Sequence, residues 1–370
     1  MEKIKNILIV ASSARLLAQW AKSEGFLPLA IDCFADVDTQ ETALDSVKVH
    51  ELTVKHVKEA ASAFKKQYII SYVIYGSGLE SHQETLKWLE QNFTVIGNSF
   101  AVFASIQNKA SFFKLLKQQG IDCPEISFQQ PCDSQNWLIK PLNGEGGIGV
   151  KKYAGESNSC YWQKYCFGTA RSVLFIAKDS KYEIIGFHKQ FATQINDHPF
   201  IFSGVMTQPE INKGIVKTLT AILDILVNKY SLKGVGSLDF IEKNNQCFVL
   251  EINARPSASL NLYDSGLFSK HIDSCTHENG AFASSGRCET KSSLPNAPNL
   301  YRAFKILFAE TDIIIDRQMS WPSWVSDIPQ DSSIINTGSP ICSIIAGGKN
   351  ERQVEDLLLF RQQQLTKLLT

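Results

Sequence analysis

The sequence lacks an excess of charge of either sign, and its cysteines lack the spacing of a metal site. Lysine plus arginine and aspartate plus glutamate both number 37, so no bulk basic field attracts nucleic acid. The nine cysteines contain no C-x-x-C pair and no Cys/His spacing typical of zinc. We expect reduced, mostly buried thiols at the scattered positions Cys33, Cys123, Cys160, Cys166 and Cys247.

Long apolar runs and low-complexity segments are also missing. No run approaches the roughly 20 apolar residues that a membrane span needs. The first residues lead directly into a predicted strand and do not have the architecture of a signal peptide. A chain of 370 residues with 44% hydrophobic and 20% charged residues is typical of a globular protein of two to three domains. We therefore expect a cytoplasmic protein with neither a membrane nor a nucleic acid as partner.

Strands alternate with helices in the first part of the chain. Strands are predicted at residues 5–11, 27–33 and 68–75, with helices at 13–24 and 51–66. This order predicts a parallel, doubly wound sheet. The first turn, ASSAR, lacks the glycine fingerprint that binds a dinucleotide pyrophosphate. We therefore predict a Rossmann-like domain that does not bind NAD.

Two charged residues stand near predicted helix starts. Glu80 follows a glycine turn at the end of the third strand. It either holds a substrate amine at the strand end or lies in a first helical turn, where the helix dipole favours a carboxylate. Lys109 follows Asn108, the predicted N-cap of a helix over 108–119. Because the dipole disfavours a cation there, Lys109 indicates an anionic neighbour.

A glycine-rich segment follows a predicted strand that ends in Lys140. Glycines at this density let backbone N–H groups approach a polyphosphate, with Lys140 as a point charge. The lysine precedes the glycines and no G-K-[ST] follows, so the order differs from that of a P-loop. A mobile β-turn is the alternative. The segment NGEGGIG contains Gly144, Gly146, Gly147 and Gly149.

A predicted hairpin, GSLDFIE-KNNQ-CFVLEIN, carries two carboxylates. If its loop has three residues, Asp239 lies opposite Glu251, and Asn253 follows on the same face. The opposite, core-facing set is Leu238, Phe240, Phe248, Leu250 and Ile252. Opposed carboxylates repel unless a cation neutralises them, and a hard divalent cation takes carboxylate and amide oxygens. Arg255 would meet a phosphate through its planar fork. A solvated edge hairpin is the alternative.

Later patterns predict packing. A stripe on a helix near 211–229 faces the core: Ile215, Leu219, Ile222, Leu223 and Leu226. His271, Cys275 and His277 do not complete a metal set and are expected to serve a loop and packing.

The order lysine, glycine-rich hairpin, strand and D-x(11)-E-x-N-x-R-P resembles the ATP-grasp superfamily. The resemblance implies an α/β and α+β fold. A Rossmann-like (pre-ATP-grasp) domain at 1–104 would precede an ATP-grasp domain at 105–280, whose two subdomains clamp ATP. A β-rich extension with a terminal helix would follow at 281–370. Many members have Glu-x-Asn-Pro-Arg; here Pro256 follows Arg255, which leaves the direction of Arg255 open.

The resemblance also implies roles for individual residues. Lys109 and Lys140 would touch the ATP phosphates, and Arg255 would face the transferred phosphate or acyl phosphate. Asp239, Glu251 and Asn253 would hold Mg²⁺ or Mn²⁺. The glycine segment, including Glu145, would cover the phosphates, and the hinge that reads adenine, largely through backbone groups, would be Gln163, Lys164 and Tyr165.

The strings IDCFADVDT, YGSGLE and EINARPSASLNLYD resemble a narrower ATP-grasp subgroup. That subgroup is linked to making methanofuran- or tetrahydromethanopterin-type cofactors and is similar to tyramine–glutamate ligase. The implied activity joins a carboxylate, with glutamate favoured, to an amine through an acyl phosphate. The expected partners are these small molecules, with a homodimer as one option for the assembly. A biotin-carboxylase-like carboxylase and a nucleotide-sensing module without turnover are the alternatives.

Overall fold

The computed structural model describes residues 5–133, 135–153, 159–264, 266–276, 300–316 and 319–369. Within these ranges the strands form sheets of five, eight and four strands and one two-stranded ribbon. Helices accompany each of the larger sheets. The mixed α/β and α+β class predicted from the sequence is confirmed.

The five-stranded sheet is parallel and has the strand order β3-β2-β1-β4-β5. Its strands are β1 (Asn6–Val10), β2 (Leu27–Asp32), β3 (Asp45–Lys48), β4 (Ile70–Tyr75) and β5 (Val95–Ile96). Its helices are α1 (Arg15–Ser23), α2 (Val37–Thr42), α3 (Val54–Gln67), α4 (Gln83–Asn92) and α5 (Phe100–Gln107). Ile7 and Ile9 enter one hydrophobic cluster, and Leu8 and Val10 enter another, so β1 is covered on both faces. The predicted Rossmann-like domain is confirmed.

The strand order reverses beside β1, since β2 lies on one side and β4 on the other. In open α/β sheets such a point opens a crevice at the carboxyl ends of the strands. Here the backbone N–H of Ser12, after β1, donates to the carbonyl of Ser77, after β4. Gly78 has a φ of +103°, and a Cβ there would overlap the Ser12 hydroxyl. The two loops therefore form one wall of a cleft.

The four-stranded sheet is antiparallel, in the order β6-β9-β7-β8. Its strands are β6 (Ile126–Ser127), β7 (Trp137–Pro141), β8 (Lys151–Lys152) and β9 (Cys160–Lys164). Helix α6 (Lys109–Gln118) precedes it, and the Asn108 side chain accepts a hydrogen bond from the Ser111 N–H, as predicted for an N-cap. The glycine-rich segment joins β7 to β8.

The remaining strands are β10 (Thr169–Lys178), β11 (Lys181–Ile195), β12 (His198–Thr207), β13 (Gly234–Lys243), β14 (Gln246–Asn253), β15 (Tyr301–Phe308), β16 (Ile313–Ile314), β17 (Val325–Ser326), β18 (Ile334–Ile335) and β19 (Pro340–Gly348). Eight of them form an antiparallel sheet in the order β14-β13-β10-β11-β12-β15-β19-β17. Strands β16 and β18 pair with each other. The strands after residue 300 thus extend the sheet that holds the predicted hairpin. The proposed boundary at 280/281 lies outside the described residues.

Three further helices pack on this sheet: α7 (Lys213–Tyr230), α8 (Gly266–Cys275) and α9 (Glu351–Leu369). A short 3₁₀ helix covers Ala258–Leu262. The predicted core stripe of α7 is confirmed, because its five residues are at most 5% exposed and share one cluster with α6 and the hairpin. No helix in the described ranges is long and apolar enough to cross a membrane.

Two predictions about cysteine and histidine positions are wrong. His271 and Cys275 lie in α8, so the predicted loop is wrong, but both are buried, as expected for packing residues. His271 Nδ1 accepts a hydrogen bond from the Val235 N–H at 2.9 Å, which ties α8 to β13. His277 lies outside the described residues. Of the five cysteines expected to be mostly buried, Cys247 alone is buried and the other four are half-buried.

Candidate active site

The hairpin β13–β14 places two carboxylates face to face. Asp239 pairs directly with Glu251, as predicted, and Asn253 lies further along β14. The loop has two residues, Asn244 and Asn245, both with positive φ, where three had been predicted. A bulge beyond Asp239 restores the pairing with Glu251.

The bulge also changes which residues face the core. Val249 is fully buried, whereas Phe248 and Leu250, both predicted for the core, are half-buried. Leu250 lines the cleft instead. The prediction was wrong here because an extra residue in one strand reverses the alternation on one side of it.

Different polar groups hold the two carboxylates. Asp239 accepts hydrogen bonds from Gln190 Nε2 at 3.0 Å and Asn253 Nδ2 at 3.2 Å. Glu251 Oε2 lies 3.4 Å from Lys109 Nζ. Burial and the neighbouring Glu251 raise the pKa of Asp239 to about 7. Burial opposes ionisation of Glu251 too, but Lys109 and Lys140 hold its pKa below the ordinary value.

The two predicted lysines approach this pair from different elements. Lys109 begins α6 and is 5% exposed, and its anionic neighbour, predicted from its place at a helix start, is Glu251. Lys140 lies on β7, where Nζ donates to Gln163 Oε1 at 3.3 Å. Burial lowers the pKa of Lys140, while Glu251 and Asp239 oppose that shift. The carboxylate pair therefore has positive charge nearby on two sides.

The glycine-rich loop lies over the cleft. Gly146, Gly147 and Gly149 have positive φ, and a Cβ on Gly147 would overlap the Phe200 carbonyl of β12. The Phe202 N–H donates to the Gly146 carbonyl at 2.9 Å. The loop is thereby packed against the large sheet.

Glu145 joins this loop to the first domain. Its Oε2 accepts from the Gly78 N–H at 2.7 Å, and its Oε1 accepts from the Ser12 hydroxyl at 3.2 Å. Burial and the Glu80 carboxylate raise the pKa of Glu145 to about 7. A residue expected to cover phosphates thus also contacts the crevice of the parallel sheet.

Arg255 is buried and held by an acidic partner that we did not foresee. Its Nε lies 2.5 Å from Glu80 Oε1, and Nη2 lies 3.9 Å from Glu145. Although burial opposes ionisation, Arg255 holds the pKa of Glu80 below its ordinary value. Glu80 precedes α4, which begins at Gln83, so the interpretation that placed it in a first helical turn was wrong. The sequence marked Glu80 as an acidic residue at a strand end but gave no indication that Arg255 is its partner.

The side chains of the three predicted hinge residues point in different directions. Gln163 is buried and directed at Lys140, as its hydrogen bond shows. The Lys164 ammonium lies 4.9 Å from the centre of the Trp137 ring. Tyr165 lines the cleft and stacks on Phe200 with ring centres 5.7 Å apart.

These groups surround one cleft of about 1080 Å³ between the parallel sheet, the glycine loop and the large sheet. Most predicted site residues line it: Lys140, Gly144, Glu145, Gly146, Gly147, Gln163, Tyr165, Asp239, Glu251, Asn253 and Arg255. Three do not, namely Lys109, Gly149 and Lys164. The cleft continues to Arg15, Asp36 and Asp327, to which the sequence analysis assigned no role.

The donor set at Asp239, Glu251 and Asn253 fits a hard divalent cation. Two carboxylates and an amide face one side of the hairpin, and opposed carboxylates favour a cation between them. In the described parts of the chain, no group of three or more His, Cys, Asp or Glu side chains could hold a metal ion. Mg²⁺ suits such a sparse set, because it retains waters and binds substrate phosphates.

Comparison with known proteins agrees with this geometry. The profile of the ATP-grasp domain family matches residues 106–259. Biotin carboxylase from Campylobacter jejuni, solved with βγ-ATP, is similar with a TM-score of 0.71 and 15% identity, covering 96% of this chain and 90% of that one. L-amino acid ligase from Bacillus licheniformis is similar with a TM-score of 0.71 and 12% identity, covering 98% and 97%. The chain therefore has the ATP-grasp fold, and its residues 106–259 match the ATP-grasp domain family.

An uncharacterized protein from Methanocaldococcus jannaschii is 26% identical over 269 residues, which is 68% of this chain. The chain spans 63% of the length of that relative. The first of these structures was solved with βγ-ATP, and the match to the ATP-grasp domain family agrees with the predicted cofactor pair, ATP with Mg²⁺.

Proposed function

We propose that this protein is an ATP-dependent ligase that joins a carboxylate to an amine. The carboxylate attacks the γ-phosphate of ATP, which forms an acyl phosphate and releases ADP. The amine then attacks the acyl carbon, which forms the amide and releases phosphate and a proton. The observation that supports this proposal most strongly is the opposed pair Asp239 and Glu251 with Lys109 and Lys140 beside it.

The residues of the chain supply mainly positioning and charge, which is what phosphoryl transfer requires. Lys140 and the glycine loop would bind the phosphates, and Lys109 would orient Glu251 through their ion pair. Mg²⁺, held by Asp239, Glu251 and Asn253, would neutralise phosphate charge. These roles need no Ser-His-Asp or Cys-His set.

Arg255 would orient the acyl phosphate or the attacking carboxylate. Its guanidinium is held by Glu80 and also donates to the Pro256 carbonyl at 3.2 Å, so its direction is fixed before substrate binds. Such preorganised charge stabilises negative charge that develops in the transition state. The position of Pro256 after Arg255 is thus compatible with a role for the arginine.

Glutamate is our favoured acid, and the making of a methanofuran- or tetrahydromethanopterin-type cofactor is our favoured pathway. Both follow from the subgroup resemblance in the sequence, and the similar protein from M. jannaschii is itself uncharacterized. The homodimer and the cytoplasmic location stay predictions of the same kind.

A carboxylase that activates bicarbonate is the second candidate. The observation that favours it is the TM-score of 0.71 to biotin carboxylase, which equals the score to the amino acid ligase. The two reactions differ in their acid, since bicarbonate replaces the organic carboxylate. ADP release that depends on bicarbonate and not on an organic acid would favour the carboxylase.

The test is Mg²⁺-dependent ADP release with glutamate and a panel of primary amines. In the Glu251→Gln variant we expect amine-dependent turnover to fall on the order of 10²–10³-fold, because a ligand of the phosphate-neutralising cation is lost. Glu242→Gln is the matched control on the same hairpin, since Glu242 pairs with Arg171 and is not among the described residues that line the cleft.

Turnover that is equal in the Glu251→Gln variant and the wild type would contradict the proposed metal site. Tight ATP binding without ADP release on any acid would contradict the ligase and favour the nucleotide-sensing module.

A further inference from the structure

A second acidic group lies in the cleft, away from the hairpin. It comprises Asp36 and Asp38, at the start of α2, and Asp327, which follows β17. Asp36 and Asp327 line the cleft, and so does Arg15 at the start of α1. We name these four residues the Asp36 cluster. It joins the carboxyl ends of the parallel strands to the C-terminal part of the chain.

Two of the three carboxylates in the Asp36 cluster have hydrogen-bond partners. Asp327 accepts from Arg15 Nε at 2.6 Å. Asp38 accepts from the backbone N–H groups of Asp327 at 2.9 Å and Ile328 at 3.1 Å. Arg15 Nη2 is also engaged, since it donates to Asn261 Oδ1 at 2.7 Å. The single guanidinium is thus engaged by Asp327, Asn261 and, through Nη1, Gln19.

Asp36 is different. Asp36 is 7% exposed and lines the cleft, yet its carboxylate has no hydrogen-bond partner among the described residues. Its backbone is held in place by neighbouring bonds: the Val37 N–H donates to the Ile328 carbonyl at 2.8 Å, and Gln330 Nε2 donates to the Ala35 carbonyl at 3.1 Å. The carboxylate is therefore fixed at the cleft surface with its acceptor capacity unused.

A buried carboxylate without a partner costs free energy, and a bound cation or donor would offset this cost. Burial, together with Asp327, Asp32 and Asp38, raises the pKa of Asp36 to about 8, and Arg15 opposes the shift. Lys48 also lines the cleft, but its side chain is exposed. The Asp36 cluster thus has more negative than positive charge at a surface that faces substrate space.

The geometry of the Asp36 cluster indicates which kind of cation would suit it. A metal ion prefers several oxygen ligands, whereas Asp38 and Asp327 already accept hydrogen bonds, so Asp36 is the one carboxylate of the cluster that the described residues leave without a donor. An ammonium group needs only one or two acceptors and a net negative surrounding, because it binds through charge-assisted hydrogen bonds. Asp36 lies at the cleft surface, and the negative charge of Asp327 acts on it, so the site provides such a surrounding.

We propose that Asp36 binds the ammonium group of a cationic amine substrate, in a field that Asp38 and Asp327 make negative. This proposal deepens the ligase function and rests on it for the identity of the substrate. It concerns recognition of the charged amine and adds no bond-making step.

Binding is tested first without ATP, so that the result does not depend on turnover. Butylammonium chloride is titrated into the full-length protein by calorimetry at about pH 9, where Asp36 is ionised and the amine is still cationic, with 1-butanol as the neutral control. We expect heat from the ammonium and not from the alcohol, and an affinity about 10- to 100-fold weaker in Asp36→Asn. Asp179→Asn, on an exposed turn between β10 and β11, is the matched control and should bind as the wild type does.

Kinetics supply the second test. Hydroxylamine is a neutral nucleophile at neutral pH and traps an acyl phosphate as the hydroxamate. In Asp36→Asn we expect the ratio of KM for butylamine to KM for hydroxylamine to rise about 10-fold or more. The Asp179→Asn ratio should equal that of the wild type.

The outcomes separate the two proposals. An Asp36→Asn variant with unchanged butylammonium affinity and unchanged KM ratio would overturn the amine subsite, as would a wild type that binds no amine. Failure of the wild type to form hydroxamate with any acid would instead overturn the ligase, while the calorimetry would still report on Asp36.

Discussion

The cleft contains two groups of carboxylates, and they differ in how their charge is compensated. Around Asp239 and Glu251, positive charge comes from Lys109, Lys140 and Arg255, and amides donate to Asp239. In the Asp36 cluster, one guanidinium serves three carboxylates, and Asp36 itself has no hydrogen-bond partner in the described chain. This difference fits the two proposed roles, phosphates and their counter-ion at the first group and a ligand that brings its own positive charge at the second.

The two groups also differ in how many cations can replace one another. Loss of one lysine near Glu251 leaves two other cations in its field. Loss of Arg15 leaves no other cation among the causes that oppose the raised pKa of Asp36. The predictions below use this difference, from the largest expected effect to the smallest.

The largest effect is expected on stability in Arg15→Met. Because this change leaves buried carboxylates without their cation, we expect the free energy of unfolding to fall by about 3–5 kcal/mol. Lys109→Met is the counterpart at the other group. We expect it to cost about 1–2 kcal/mol, since the Glu251 side chain is 34% exposed and keeps Lys140 and Arg255. Urea unfolding of both variants measures the difference, and equal losses would contradict the comparison.

A smaller effect is expected from ligand binding. At a MgATP concentration 100-fold above Kd, the wild type should gain about 2.7 kcal/mol of stability. EDTA or Asp239→Asn should remove most of this gain, because EDTA removes the Mg²⁺ that neutralises the ATP phosphates and Asp239→Asn removes one of its proposed ligands. Asp36→Asn should keep it. Thermal unfolding with and without MgATP gives the answer, and a loss of the gain in Asp36→Asn would mean that the two groups are not separate.

The smallest effect concerns pH. Burial, together with the carboxylates of Asp327, Asp32 and Asp38, raises the pKa of Asp36 from 3.8 to about 8, and Arg15 opposes the shift. The folded state therefore binds more protons than the unfolded chain in this window, and stability falls as pH rises through it.

Asp36→Asn should accordingly stabilise the ligand-free protein by about 1–2 kcal/mol near pH 8 and progressively less towards pH 4. Urea unfolding of the wild type and the variant across this range measures the effect. A difference that does not change with pH would show that Asp36 does not titrate in the folded protein.

The hairpin site could be predicted because its information is local. Asp239, Glu251 and Asn253 are placed by a turn and by strand alternation, and the glycines after Lys140 mark a loop by their density alone. The turn is one residue shorter than predicted, and the bulge adds one unpaired residue to β14. These two shifts in register cancel at Glu251. The predicted pairing with Asp239 is therefore correct, whereas the predicted core-facing set is not.

The remaining features depend on contacts between distant parts of the chain. The ion pair of Glu80 with Arg255 and that of Arg15 with Asp327 each join two segments that no local pattern connects. Asp36 lies in the string IDCFADVDT, which indicated only a family resemblance. Its lack of a partner is a property of the folded surroundings, and no spacing in the sequence encodes it.

Glu145 has a consequence for the order of events in the cleft. The loop that lies over the cleft is bonded through this side chain to Gly78 and Ser12 of the first domain. In the proposed ligase, a loop that lifts to exchange nucleotide would have to release the crevice of the parallel sheet at the same time. Closing the loop would then close the crevice too, which would keep water from the acyl phosphate.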